Sequence, residues 1–384
     1  MYTPGEDIYG SREHQAFRDT VRKFVQTELA PRAREFDKMG RLDKSLYRKM
    51  GDLGLLGIRY DAQYGGQGLD YSYQAIFLEE LALSDNAGVT MGISVHTDMA
   101  TPALARFGTE ELKRKYLVPA IKGEQVAAIA VTEPSAGSDV ARIKTRAVRD
   151  GDQWVINGSK IYITNAATAD WLCLLAVTDP DAGYGGFSQI IVPTDSPGFS
   201  YELLDKIGNK GSDTGLLFFD DVRVPVSNTI GDAQRGFQQQ MMQFQDERMV
   251  VVCTSPVTAQ RLWGQTLEHC QQRVAFGKPL SKMQVNAFKF VDMKIQIEAA
   301  QEFAHRCIRR MMRNEDASLD ISMCKVFCTT MHQYVATTCM QLWGGAGYMY
   351  ENPAGRAFVD SRLASIGGGA DEVMKQVVAK MMGI

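Results

Sequence analysis

The chain has 384 residues, more than one typical core accommodates, so two or three packed domains are expected. Hydrophobic residues make up 45% and charged residues 23%, an ordinary balance for a globular enzyme, and 42 basic against 45 acidic side chains leave a net charge of −3. That balance excludes a bulk electrostatic drive toward nucleic acid or an anionic membrane, and no apolar run is long enough to span a bilayer.

The N-terminus carries Glu6 and Asp7 and no apolar h-region, so it reads as neither a signal nor a transit peptide. A cytoplasmic location is expected; a trimmed organellar protein would read the same. Phe17, Val21, Phe24 and Val25 recur at helical spacing and predict an amphipathic helix that stops before Pro31. Leu46, Met50 and Leu53 form a second apolar stripe. Residues 75–83 and 110–117 also read as helices, with a glycine-containing loop over 64–68 between such elements.

The period changes near residue 128. Residues 154–163 are β-rich on both sides of Asn157-Gly158, a dipeptide suited to positive φ and therefore the expected turn of a β-hairpin. Further strands are expected over 172–177, 189–192 and 216–219, punctuated by Pro193, Pro197 and Pro225. From about 233 the helical period returns. Val285, Phe288, Val291 and Ile295 predict one helix face, and 326–342 another long helix. The order predicts a mainly α chain with an inserted β domain. The expected divisions are an all-α domain over 1–128, a central β domain over 129–232 and a helical domain over 233–384.

The seven cysteines lack C-x-x-C spacing. Cys324 and Cys328, one helical turn apart, read as small buried hydrophobes in a reducing compartment. The five histidines are scattered and form no metal pair, and His96 reads as a structural histidine with satisfied hydrogen bonds.

The segment Val131-Thr132-Glu133-Pro134-Ser135-Ala136-Gly137-Ser138-Asp139 pairs hydroxyls with a turn of small residues, so backbone N–H groups can approach a phosphate. Alone it is a weak signal. Read in order with other segments it resembles the acyl-CoA dehydrogenase family, whose motif is T-E-P-x-A-G-S-D. Lys160-Ile161-Tyr162-Ile163-Thr164-Asn165 is similar to that family's K-x-[WFY]-I-T-N strand. Lys206-Ile207-Gly208, Ser212-Asp213-Thr214 and Phe219-Asp220-Asp221-Val222-Arg223-Val224-Pro225 follow its next run. Gly236-Phe237, Glu247-Arg248, Arg273-Val274-Ala275-Phe276-Gly277-Lys278 and Gln341-Leu342-Trp343-Gly344-Gly345-Ala346-Gly347-Tyr348 complete a match from about residue 11 to the C-terminus.

The resemblance implies N-terminal helices, a small β-barrel-like central domain and a C-terminal four-helix bundle, commonly assembled as a homotetramer. It implies noncovalent FAD, an acyl-CoA substrate, and electrons passed to an electron-transfer flavoprotein in fatty acid β-oxidation. By motif position, Val131, Thr132, Ser138, Tyr162, Ile163 and Thr164 would face the flavin, and Thr164 would offer its hydroxyl to the N5 edge. Arg273, Phe276 and Gln284 would reach the pyrophosphate and adenosine side from a neighbouring subunit. Gln341, Gly344 and Gly345 would let the adenosine half pass close to the backbone, and Ala370 and Glu372 complete the cofactor set. Ser138, Phe244, Asp246, Arg248, Gly368 and Gly369 are the implied substrate contacts.

Most relatives carry the catalytic base near the C-terminus, in an I-Y-E-G-T segment. Here that segment reads Ile366-Gly367-Gly368-Gly369-Ala370, and Gly368 occupies the glutamate position. The long-chain and isovaleryl-CoA dehydrogenase branches place the base on a bundle helix just before an arginine, and Asp246-Glu247-Arg248-Met249 resembles that pattern. Glu247 is therefore the expected α-proton base. It would work with an oxyanion hole made by a cofactor hydroxyl and the N–H at Gly368. Glycine at 367 and 368 suits longer or branched acyl groups. Two rivals stay open: an acyl-CoA oxidase or flavin monooxygenase of the same fold, and a non-enzymatic acyl-CoA or flavin binder suggested by Gly367, Gly368 and Ala370.

Overall fold

A computed structural model describes residues 8–384. Glu6 and Asp7, on which the reading of the N-terminus rests, lie outside the described residues. The first region is helical: α1 (Arg12–Phe24), α2 (Ala33–Met39), α3 (Lys44–Asp52), α4 (Tyr71–Leu81), α5 (Ala87–Ser94), α6 (Thr101–Phe107), α7 (Glu110–Leu112) and α8 (Val118–Ile121). Ser11 caps α1 by accepting from the His14 N–H, and Glu13 at its start and Arg22 and Lys23 at its end complement the helix dipole. The apolar stripe continues past α1 through a π-helical turn, Val25–Leu29, and stops at Pro31 as expected. Leu46 and Met50 are buried on α3, but Leu53 lies past its end and is exposed, so the second stripe is one residue shorter than predicted.

Helix α4 is buried on nearly every side and so belongs to the interior. Its two buried carboxylates are answered by α1: Arg18 pairs with Glu79 at 2.8 Å and Glu80 at 2.9 Å, and Arg22 with Glu80 at 2.9 Å. His96 is fully buried, with Nε2 at 3.1 Å from the Ala120 carbonyl and Nδ1 accepting from the Ala127 N–H.

The central region is a curled sheet of β1 (Ala127–Ala130), β2 (Arg146–Asp150), β3 (Gln153–Thr164), β4 (Trp171–Val177), β5 (Phe187–Pro193), β6 (Phe199–Leu203) and β7 (Thr214–Pro225). The order is β1-β4-β2-β3-β7-β6, with β5 on β4. The expected hairpin at Asn157-Gly158 is not there. Strand β3 runs straight through the dipeptide with a bulge against β7 between Ile156 and Gly158. Asn157 is held in the sheet: its amide donates to Asp221 at 2.8 Å and its carbonyl oxygen accepts from the Asp221 N–H at 3.0 Å. The true turn joins β2 to β3 over Asp150-Gly151-Asp152, with Gly151 at φ +61°.

The last region contains α9 (Gly236–Gln272), a two-strand ribbon β8 (Val274–Ala275) and β9 (Lys278–Pro279), α10 (Gln284–Met312), α11 (Ser318–Trp343), α12 (Pro353–Asp360) and α13 (Asp371–Met382). Helices α9, α10 and α11 pack on one another and α13 packs on α11. On α10 the buried stripe is Phe290, Met293, Ile297, Ala300, Ala304 and Cys307. Val285, Phe288, Val291 and Ile295, predicted from their period as a helix face, do lie on one helix. They are each more than half exposed, so the face is apolar without being part of this chain's own core.

Candidate active site

The 131–139 turn leaves β1 and is held from beneath by a buried ion pair. Lys160, fully buried on β3, donates to the Val131 carbonyl at 2.8 Å and to Glu133 Oε1 at 2.9 Å. Glu133 also accepts from the Lys144 and Thr145 N–H groups. Burial pushes the Lys160 ammonium down to about 8. Burial works against Glu133 as well, yet the charge of Lys160 and the N–H donors outweigh it and hold its carboxyl below the usual range. The Ile161 N–H donates to the Thr132 carbonyl at 2.9 Å, so the two β-domain motifs, distant in sequence, lie side by side.

These contacts bring Thr132 beside the strand that carries Tyr162 and Thr164, and Ser138 lies on the same 131–139 turn. Tyr162 sits at φ +62° in a second bulge of β3 and is 68% exposed. An aromatic residue in the left-handed region is strained backbone, found where a site over-determines it. Val131 and Ile163 turn their side chains into cores, so only their backbone is available to a ligand.

Glu247 lies in the fourth turn of α9. Burial pushes its carboxyl up, and the charges of Arg248 and Lys325 pull it part of the way back. The 366–370 loop meets it from the other side. A Cβ at Gly368 would stand 3.6 Å from Glu247 Oε1 and 3.9 Å from its Cδ. Glu247 on α9 and the Gly368 position of the loop before α13 therefore meet at one place. Arg248 Nε donates to the Gly368 carbonyl at 3.3 Å, and its guanidinium lies 5.9 Å from the Phe244 ring centroid. Phe244 in turn packs on the cluster containing Val131 and Ala136, which ties the base helix to the β-domain rim. Ala370 and Glu372 stand at the start of α13, beside this loop.

Asp246 does not join this group. It is fully buried, with Arg59 at 2.8 Å from Oδ1 and Arg106 at 2.6 Å from Oδ2. The expectation that it touches substrate is corrected: one residue along a helix turns a side chain by about 100°, and this one is the counter-ion of two arginines.

Arg273, Phe276, Gln284, Gln341, Gly344 and Gly345 form a second, separate group at the far end of α9. Arg273 lies about 39 Å from Glu247 along the helix at ~1.5 Å per residue. His269 stacks on Trp343 at 3.9 Å, which brings the end of α9 to the end of α11. Phe276 is 97% exposed at φ +54°, with Gly277 at φ +77°, a tight two-residue turn between β8 and β9. Nothing lies within 4 Å of where a Cβ would stand on Gly344 or Gly345. Both groups suit a flavin dinucleotide: a hydroxyl-bearing rim beside a carboxylate on one side, and an arginine, an exposed aromatic ring and open glycines on the other. Among the described residues no cluster of His, Cys, Asp and Glu could hold a metal ion.

Sequence reasoning missed Lys325. Its side chain is fully buried on α11, donating to the Gly369 carbonyl at 2.6 Å and to Asp371 at 3.0 Å. A lone lysine in the run Cys324-Lys325-Val326-Phe327-Cys328 was the available signal.

Comparison with known proteins covers the whole of this architecture. Residues 11–124, 128–222 and 234–383 match the N-terminal, middle and C-terminal domains of acyl-CoA dehydrogenase. The chain is 37% identical to the long-chain specific acyl-CoA dehydrogenase of Sus scrofa mitochondria, over 96% of this chain and 86% of that one. It superposes on the crystal structure of an acyl-CoA dehydrogenase from Geobacillus kaustophilus with a TM-score of 0.95 at 37% identity, covering 98% of this chain and 99% of that one. Butyryl-CoA dehydrogenase from Megasphaera elsdenii is similar at a TM-score of 0.92 and 33% identity, with 100% of both chains covered.

Proposed function

The chain belongs to the acyl-CoA dehydrogenase family, and from that premise we propose that it α,β-dehydrogenates a fatty acyl-CoA to the trans-2-enoyl-CoA with Glu247 as the base. The observation that carries this is the approach of Glu247 to the Cβ position of Gly368. The carboxylate missing from the loop is supplied by the helix at the same place.

The α-proton of a thioester is too weakly acidic for an unassisted carboxylate. The Gly368 N–H has no backbone acceptor among the described residues, so it is free to donate to the thioester carbonyl. One such donor is worth ~2.7–4 kcal/mol as the enolate charge develops. Glu247, raised by burial, is better matched to the proton it removes, and a substrate that excludes water raises it further. FAD, when bound, supplies the acceptor for the hydride that leaves the β-carbon. Thr132, Ser138, Tyr162 and Thr164 would hold its flavin end, and Arg273, Phe276, Gln284, Gln341, Gly344 and Gly345 of a second copy its other end. An arginine fork suits a pyrophosphate.

The same reading makes the protein a homo-oligomer, a tetramer in the family pattern, joined in part through Val285, Phe288, Val291 and Ile295. An electron-transfer flavoprotein accepts the electrons. Seven free, buried cysteines fit a reducing compartment such as the cytoplasm. Glycines at 367 and 368 favour medium, long or branched acyl groups over butyryl, which anaerobic flavin bleaching across an acyl-CoA panel would rank.

The test of the base is Glu247→Gln. The variant keeps FAD and ligand binding and loses about 10²–10⁴-fold in the rate of flavin reduction. Near-normal reduction would remove Glu247 as the base. Adding Gly368→Glu restores part of the rate, limited by the φ of +65° at that position, where a side chain costs about 1–3 kcal/mol.

A further inference from the structure

The loop under Glu247 is unusual in having two consecutive residues in the left-handed region, Gly368 at φ +65° and Gly369 at φ +97°. Glycine reaches these angles readily and also leaves them readily, so such a turn has no intrinsic preference for one shape. Something else must hold it. Each of its two carbonyls is taken by a cation from a different helix. Arg248 on α9 donates to Gly368, and Lys325 on α11 donates to Gly369. In a trans peptide the C=O and N–H point opposite ways, so fixing these carbonyls aims the N–H groups of Gly369 and Ala370 and restrains the backbone next to the Gly368 N–H.

Lys325 is the more deeply placed of the two cations. Its Nζ lies 2.6 Å from the Gly369 carbonyl and 3.0 Å from Asp371 Oδ1. Asp371, at the start of α13, is steadied by Thr329 one turn along α11, whose hydroxyl lies 3.1 and 3.2 Å from its two oxygens. A lysine with no exposed side-chain surface, for which burial opposes the charge, is costly to keep and so needs a reason. The charged groups bearing on the Glu247 carboxylate are Arg248 from its own helix and Lys325 from α11. Asp371 offsets Lys325 from the α13 side.

We propose that Lys325 is a positioning residue for the reaction assigned to Glu247: its buried ammonium pins the glycine turn that lies against the Glu247 carboxylate. This inference rests on Glu247 being the base. Its electrostatic consequence has a sign. Removing the Lys325 charge raises the Glu247 pKa, so the carboxylate is lost at higher pH than in the wild type. Removing the Asp371 carboxylate takes away the partner that keeps the buried Lys325 charged and oriented, so it loosens the same turn.

The experiment compares Lys325→Met and Asp371→Asn with wild type as full-length FAD-loaded proteins. Two quantities are measured: the pH profile of flavin reduction by acyl-CoA, and amide hydrogen exchange over 366–370 without substrate. Lys325→Met moves the acidic limb of the profile to higher pH and speeds exchange in the loop at least about tenfold. Asp371→Asn, which removes the carboxylate that orients Lys325, also speeds exchange in the loop. A Lys325→Met protein with a wild-type limb and wild-type loop protection overturns the proposal, as does one that only melts earlier. If Lys325→Met yields no folded protein, Asp371→Asn decides alone: wild-type loop protection over 366–370 in that variant overturns the proposal. Failure of the base assignment itself shows separately, as reduction that survives Glu247→Gln.

Discussion

The two halves of the site are built in opposite ways. The β-domain rim is completed by its own chain: a fully buried Lys160–Glu133 pair fixes the 131–139 turn, and the Ile161 N–H bonds it to the neighbouring strand. The bundle end is left open, with Phe276 almost wholly in solvent and Val285, Phe288, Val291 and Ile295 forming an uncovered apolar stripe on α10. Apolar surface of that size is stable in water when another surface covers it. In the proposed two-chain site the rim is held by contacts within one chain, whereas retention of the cofactor's far end would depend on assembly.

The strongest way to break this contrast is to charge the open stripe. Phe288→Asp with Val291→Asp should dissociate the oligomer outright, read by sedimentation, and FAD should be lost with it because the second group of contacts leaves the site. FAD retained by a dissociated chain would show that one chain completes the site. The closed side is tested by Lys160→Met, which strands Glu133 in the interior. Breaking a buried pair costs about 3–5 kcal/mol, so the melting temperature should fall sharply while the subunits still associate. An unchanged melting temperature would mean that the N–H groups of Lys144 and Thr145 suffice to hold the turn.

Arg273→Ala should act at the open end alone. Loss of one charge-assisted contact, ~1.5–3 kcal/mol, weakens FAD retention by roughly tenfold to a hundredfold and leaves the fold and assembly intact. Unchanged FAD affinity would return Arg273 to the role of a solvated helix-end charge. A further effect belongs to the buried interior. Asp98 is fully buried, bonded to Gln74 and Thr97, and burial pushes its carboxyl up to about 7. The folded state keeps a proton that the unfolded chain has lost, so this group's contribution is complete at low pH and fades as pH rises toward 7. The wild-type melting temperature should therefore decline between about pH 5 and pH 7.5 more than that of Asp98→Asn. Parallel slopes would contradict the assignment.

Part of the fold was legible because periodicity records burial: α1 and α3 follow their apolar repeats, and the strands at 171–177 and 187–193 follow their short apolar runs. The motifs also marked Glu247 against Gly368, since the loss of a carboxylate at one position and its gain at another are visible in the residues alone. Tertiary structure decided the rest. Asn157-Gly158 has the local chemistry of a turn, yet the sheet uses it as a bulge because Asp221 on the adjacent strand satisfies the Asn157 side chain. The stripe on α10 has the period of a core face, and periodicity cannot say whether the surface that covers it belongs to the same chain. Asp246 and Glu247 are neighbours in sequence and diverge in space because a helix turns about 100° per residue. Lys325 needed the fold most of all: a lysine in an apolar run acquires its meaning from the Gly369 carbonyl and the Asp371 carboxylate, more than forty residues away, which only chain folding brings to its ammonium.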